Sequence, residues 1–211
     1  MKPPARPLPR EVRIVGGAWK RSKLPVLDRP GLRPTPDRVR ETLFNWLGQS
    51  LDGWRCLDAF AGTGALGFEA ASRGAREVIL LERDGVLLPP LTAAKARLGA
   101  EQVRIERADA LQWMARAPAG SFDLVFLDPP FDAGLIGKAL PAAARLIAEG
   151  GFLYVEAAEA LVAGPESSGL TLFRAARAGA VHSHLLRRMP IGASVSDAPH
   201  TNPGATPTDG S

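Results

Sequence analysis

From residue 54 onward, short strand-forming runs alternate with helix-patterned segments, and this alternation restricts the fold more than any other feature. The runs lie near 55–60, 77–82, 102–106, 122–127 and 151–156. The clearest, 122–127, is a brief apolar stretch, the pattern of a strand buried in a parallel sheet. The segments between the runs must carry the chain back across the sheet as helices, which predicts a doubly wound α/β domain. Residues 170–178 and 180–188 flank Gly179 and predict a closing hairpin, giving a seven-stranded, mostly parallel sheet. Pro89-Pro90 interrupts the helix expected after the second strand, so that element should be short or kinked.

The turn after the first strand is Asp58-Ala-Phe60-Ala-Gly62-Thr-Gly64-Ala-Leu-Gly67. Its glycines permit a tight turn, close approach of backbone to a ligand, and close packing of the next helix on the strand. Twenty residues after Gly62, Glu82 ends the second strand, where a carboxylate can accept both hydroxyls of a ribose. Glycine loop and acid together fit two kinds of ligand, a nicotinamide or flavin dinucleotide and S-adenosylmethionine. Asp58 favours the second. A carboxylate at the mouth of the loop repels a pyrophosphate but suits an ammonium and a sulfonium.

The fourth strand-forming run, Phe122-Asp-Leu-Val-Phe-Leu127, is followed by Asp128-Pro129-Pro130-Phe131. Two prolines end ladder pairing, fix the backbone and leave the Pro129 carbonyl without a neighbouring amide. A carboxylate and a carbonyl, both acceptors, thus converge beside an aromatic ring, a set suited to a planar group bearing an NH2. Alone, Asp-Pro-Pro is also an ordinary strand-ending turn. Its place some seventy residues after the glycine loop favours the ligand-gripping reading.

Charge is unevenly spread. Residues 1–40 hold 11 Lys or Arg against 3 Asp or Glu, so the net +4 is made of a local +8 and a −4 remainder. A basic arm carrying Trp19 among Arg13, Lys20, Arg21, Arg29, Arg33, Arg38 and Arg40 suits phosphate contacts plus one stacking or packing ring. A solvated tail would look the same in isolation. Within the arm, Val12-Arg-Ile14-Val15 reads as a short strand closed by a glycine turn. Thr35-Pro36 reads as an N-cap and first residue of a helix that places Val39, Leu43, Trp46 and Leu47 on one face.

The organisation expected is a basic tail over 1–11, an RNA-binding extension over 12–50, a catalytic domain over 51–190 and a tail over 191–211. At 211 residues and 45% hydrophobic content, one core is the expected count. One cysteine, Cys56 inside the first strand, leaves no internal disulfide and fits a cytoplasmic setting. No run of 18 apolar residues points to a membrane. His182 and His184 lack Cys or carboxylate partners at ligand spacing, so no metal is expected, and Trp46, Trp54 and Trp113 read as packing residues. Nothing in the pattern asks for an oligomer, and a monomer is expected.

Asp-x-Phe-x-Gly-x-Gly followed by Asp-Pro-Pro-Phe, with an N-terminal Arg-x-x-x-Gly and Arg33-Pro-Thr35-Pro-Asp-Arg38-Val-Arg40-Glu41-Thr-Leu43-Phe44, resembles the bacterial RsmD-type methyltransferases over about residues 12–188. The resemblance implies a Rossmann-like class I methyltransferase fold and S-adenosylmethionine as cofactor. It also implies methylation of the exocyclic N2 of guanine 966 in 16S ribosomal RNA, within the 30S subunit or an assembly intermediate. Carried over by position, it implies that Asp58, Phe60, Gly62 and Gly64 hold the methionine end and that Glu82 beside Arg83 holds the ribose. Asp109 and Ala110 would hold the adenine. Asp128, Pro129, Pro130 and Phe131 would be catalytic, and Arg13, Lys20, Arg21, Arg33, Thr35 and Arg38 would meet RNA. Asp-Pro-Pro-Phe does not itself specify the base, so an adenine-N6 enzyme acting on DNA or RNA is the alternative within methyltransferases, and an NAD-dependent dehydrogenase the alternative outside them.

Overall fold

The computed structural model describes residues 10–29, 32, 34–130, 134–161 and 169–189. The predicted alternation is realised as β3 (Arg55–Asp58), α2 (Ala65–Ser72), β4 (Glu77–Glu82), α3 (Leu88–Leu98), β5 (Val103–Arg107), α4 (Ala110–Arg116), β6 (Phe122–Leu127), α5 (Ile136–Leu146) and β7 (Ile147–Ala157). The hairpin β8 (Leu170–Ala178) and β9 (Val181–Arg188) follows. Before them lie a small two-stranded sheet, β1 (Glu11–Arg13) with β2 (Lys23–Pro25), and helix α1 (Asp37–Leu47).

The seven strands run in the order β5-β4-β3-β6-β7-β9-β8. The first five are parallel to their neighbours, and β9 is antiparallel to both β7 and β8. The chain leaves β3 towards β4 and β5, then returns to start the other half at β6. Strand order therefore reverses between β3 and β6. Beyond the carboxyl ends of strands at such a reversal, an open sheet leaves a crevice. Asp58 ends β3 and Asp128 follows β6, so both acids of the sequence motifs stand at its mouth.

Each face of the sheet has its own core. One combines Leu43 and Phe44 of α1, Phe68 of α2 and Leu91 of α3 with Cys56, Leu80, Phe126 and Tyr154 of the strands. The other sets Met114 of α4 and Ala139 and Ala143 of α5 against Leu57, Val125 and Leu153. Val12, Ile14 and Leu24 of the N-terminal hairpin belong to the first core, which the basic segment thus shares with the sheet.

Two local expectations are corrected. Pro89 and Pro90 do not shorten the helix after β4. They occupy the first turn of an eleven-residue α3, where a missing N–H costs nothing because those amides lack intrahelical acceptors anyway. Thr35 is not the cap of α1. The cap position is Pro36, without a side-chain hydrogen bond, and the Thr35 hydroxyl is used elsewhere.

A buried ionic cluster fastens the N-terminal segment to the sheet. Glu69 of α2 and Arg40 of α1 are both fully buried. Glu69 accepts from the backbone amides of Val15 at 2.8 Å and Gly16 at 2.7 Å, from Arg40 Nη1 at 3.0 Å and from Arg73 Nε at 2.9 Å. Arg40 also donates to the carbonyls of Thr35 and Arg13 and to Asp37. Glu69 accepts four hydrogen bonds and each guanidinium nitrogen of Arg40 donates at least one, the condition under which a buried ion pair is tolerated.

Candidate active site

At the end of β3, Asp58 is 2% exposed and accepts the Gly67 amide at 3.0 Å. Burial pushes its carboxyl up to about 7, against the pull of the backbone amides it accepts. Gly67 is required where it stands. A Cβ there would lie 2.1 Å from Leu80 Cδ2 and 3.2 Å from the Asp58 carboxylate. Gly64, at φ +76°, caps α2 with its backbone alone, so no side chain occupies the amino end of that helix.

Glu82, at the end of β4, turns back to the loop. Its carboxylate accepts the Gly62 amide at 2.9 Å and the Asp84 amide at 2.7 Å, and burial raises its pKa. Arg83 is exposed, while Asp84 pairs with Arg29 at 2.6 Å. Phe60 is half-buried against the second core. Asp109 follows β5 and caps α4 by accepting the Gln112 amide at 3.0 Å, and Ala110 is buried behind it. Asp58, Glu82, Asp109 and Asp128 thus each stand at the carboxyl edge of one of four adjacent strands.

Asp128 is set at the other side of the crevice. The Thr35 hydroxyl stands 3.4 Å from its Oδ2. Burial raises its pKa well above the usual carboxylate value, and the charges of Glu156 and Asp58 add to the rise. Pro129 is buried and Pro130 exposed, while Phe131 lies outside the described residues.

The expected RNA contacts divide. Lys20, Arg21 and Arg38 are exposed, and Arg13 is exposed with an ion pair to Asp37 at 3.3 Å. Thr35 is 4% exposed and faces Asp128. Arg33 lies outside the described residues. Arg40, counted in the basic arm, is wholly committed to the buried cluster. The same segment reaches the glycine-loop side of the crevice, because a small cavity beside Gly62 and Thr63 is walled by Pro25, Leu27, Leu32, Leu87 and Leu91.

Three partners escaped the sequence reading. Thr35 was named as a cap and an RNA contact, but its approach to Asp128 was hidden because long-range hydroxyl contacts leave no periodic trace. Glu69 was legible as a lone acid inside the apolar helix Ala-Leu-Gly-Phe-Glu-Ala-Ala-Ser. Glu156 was legible as an acid at the close of an apolar run, one residue before the end of β7. It is 3% exposed, accepts from the Tyr154 hydroxyl at 2.9 Å, and has a raised pKa chiefly through burial. His182 and His184 stack at 6.3 Å, and among the described residues no three metal-ligating side chains cluster. No helix among the described residues is long and apolar enough to cross a membrane.

Comparison with known proteins gives the family. The family model described as "Conserved hypothetical protein 95" matches residues 12–187. Ribosomal RNA small subunit methyltransferase D of Escherichia coli K12 is 43% identical over 157 residues, 74% of this chain and 77% of the relative. The protein of the same name from Haemophilus influenzae is 46% identical over 134 residues, 62% of this chain and 69% of the relative. Among solved structures, a putative methyltransferase, yhhF, from Escherichia coli superposes with a TM-score of 0.73 at 39% identity, covering 85% of this chain and 98% of its own. The crevice acids, the glycine loop and these similarities converge, and the chain belongs to the RsmD-type family of ribosomal RNA small subunit methyltransferases.

Proposed function

We propose that this protein transfers a methyl group from S-adenosylmethionine to the exocyclic N2 of a guanine in 16S ribosomal RNA. The observation that carries the reading is the placement of Asp128-Pro129 directly across the sheet's reversal point from Asp58 and the glycine loop. S-adenosylmethionine is cationic at its ammonium and sulfonium. A crevice with a glycine-lined floor and acids at the ends of β3, β4, β5 and β6 suits it. Asp58, Gly62, Gly64 and Phe60 would hold the methionine end, Glu82 the ribose, and Asp109 with Ala110 the adenine. When bound, it supplies an electrophilic methyl group.

The protein's own residues then have a defined task. The amine on guanine is a weak nucleophile because its lone pair is delocalised into the ring. Asp128 and the Pro129 carbonyl would accept its two N–H groups, drawing the nitrogen towards tetrahedral geometry with the lone pair aimed at the methyl carbon. Alignment supplies most of the acceleration, and Asp128 takes the proton as the product forms. Phe131 would stack on a guanine turned out of its helix or loop. Lys20, Arg21, Arg38, Arg13 and Arg33 would bind phosphates, giving an affinity that falls with salt. Thr35, buried against Asp128, would act from within the site.

The test is transfer of labelled methyl to 16S RNA and to 30S particles lacking the modification, with nucleoside mass spectrometry of the product. N2-methylguanosine is expected. Asp128→Ala should lower the rate by at least about 10²-fold while S-adenosylmethionine still binds. N6-methyladenosine would move the substrate to adenine, and normal transfer by Asp128→Ala would dismiss the site.

A further inference from the structure

Beyond Asp128, the polar row continues across the sheet. Leu127 pairs with Val155 on β7, so Asp128 stands beside Glu156, which in turn pairs with Ser183 on β9. All three lie on the face that carries Phe126 and Tyr154, because alternate strand residues share a face. The Thr35 hydroxyl approaches the Asp128 carboxylate at 3.4 Å, on the same side as Glu156. The Tyr154 hydroxyl donates to Glu156 Oε1 at 2.9 Å and lies 3.1 Å from Ser183 Oγ.

The groups facing Asp128 are therefore Asp58 from β3, Glu156 and Tyr154 from β7, and Thr35 from the segment before α1. Ser183 of β9 stands behind Glu156. Among the described residues, the charged groups that act on Asp128 are Asp58 and Glu156, both acids. Arg40 stands on the far side of Thr35, bonded to its carbonyl and to Glu69 and Asp37. A buried acid and a part-buried one side by side, with no cation between them among the described residues, are costly to a fold.

We propose that Glu156 is a positioning residue for methyl transfer, the second acid of a pair set side by side at the ends of β6 and β7, which orients Asp128 and strengthens it as acceptor of the amine proton. This rests on the functional reading above. In the step it serves, the amine nitrogen bonds the methyl carbon, the carbon–sulfur bond breaks with its electrons kept on sulfur, and one N–H proton passes to Asp128. A neighbouring carboxylate raises the proton affinity of the acceptor. An amide in its place does not.

The experiment compares the full-length wild type with Glu156→Gln and Asp128→Asn by carboxyl ¹³C NMR titration and by the pH dependence of kcat/KM on 30S particles. The wild type should titrate the pair in two coupled steps, and either amide variant should leave one step at lower pH than the upper wild-type step. Glu156→Gln should move the acid limb of kcat/KM down by about one pH unit. If Glu156→Gln does not fold, the titration of Glu156 in Asp128→Asn still decides. Independent titration of the two acids, or superimposable pH profiles, would overturn the role of Glu156 while leaving methyl transfer intact. A wild type that methylates no nucleic acid would overturn the functional reading and this role together.

Discussion

Two groups of buried acids sit on the same face of the sheet and are treated in opposite ways. Glu69 is surrounded by donors, two guanidinium groups and two backbone amides. Asp58 and Glu156 are buried and Asp128 partly so, with amides and hydroxyls but, among the described residues, without a cation, and all three carboxyls are raised in pKa. Neutralised charge marks the joint that holds α1, α2 and the N-terminal hairpin together. Charge left unneutralised marks the crevice where a cationic ligand and a proton transfer are expected. The contrast separates an acid that serves folding from acids proposed to serve function, although Glu69, Asp58 and Glu156 are comparably hidden from water.

Substitutions can break or sharpen this contrast. The largest stability effect should come from Glu69→Gln, which leaves Arg40 and Arg73 buried without their anion and should cost about 3–5 kcal/mol in urea unfolding. A loss below about 1 kcal/mol would mean that the cluster does not hold the segment. Asp58→Asn should act in the opposite direction. The Asp58 carboxyl is raised from 3.8 to about 7 in the folded protein, so its contribution is fully present below pH 4 and is lost as pH rises towards 7. The amide variant should therefore be more stable than the wild type at pH 8, by on the order of 2–4 kcal/mol, with the difference gone by pH 4. Equal stability at both pH values would show that water or a counterion already relieves Asp58. The smallest effect should come from Arg13→Ala. That ion pair with Asp37 is exposed, and its loss should change stability by less than about 1 kcal/mol.

The sheet was readable from its sequence because parallel strands buried on both faces are apolar throughout, and β4 and β6 begin and end where the apolar runs do. The glycine loop was readable because Gly67 answers to a steric demand that no other residue meets. Thr35 and Pro89-Pro90 were misassigned for a shared reason. Local rules name what a residue can do at a helix start, but tertiary contacts select among the options. Thr35 had a carboxylate to meet, and the prolines could move into a first turn that needs no amide hydrogens. Arg40 looked like one more surface cation of a basic arm, since nothing local distinguishes it from Arg38. Only the arrival of α2 beneath it gives it Glu69.

The polar row from Thr35 through Asp128 and Glu156 to Ser183 also bears on how the molecule reaches its working state. Its members come from the segment before α1, the end of β6, β7 and the final strand β9, so nearly the whole described length must be in place before the row closes. Contacts so distant in sequence form late and slowly. A nascent chain could complete the glycine loop early, yet the proposed proton-accepting end would stay unfinished until β9 docks beside β7. Catalytic competence would then report completion of folding, and a ribosome releasing a truncated product would release an inactive one.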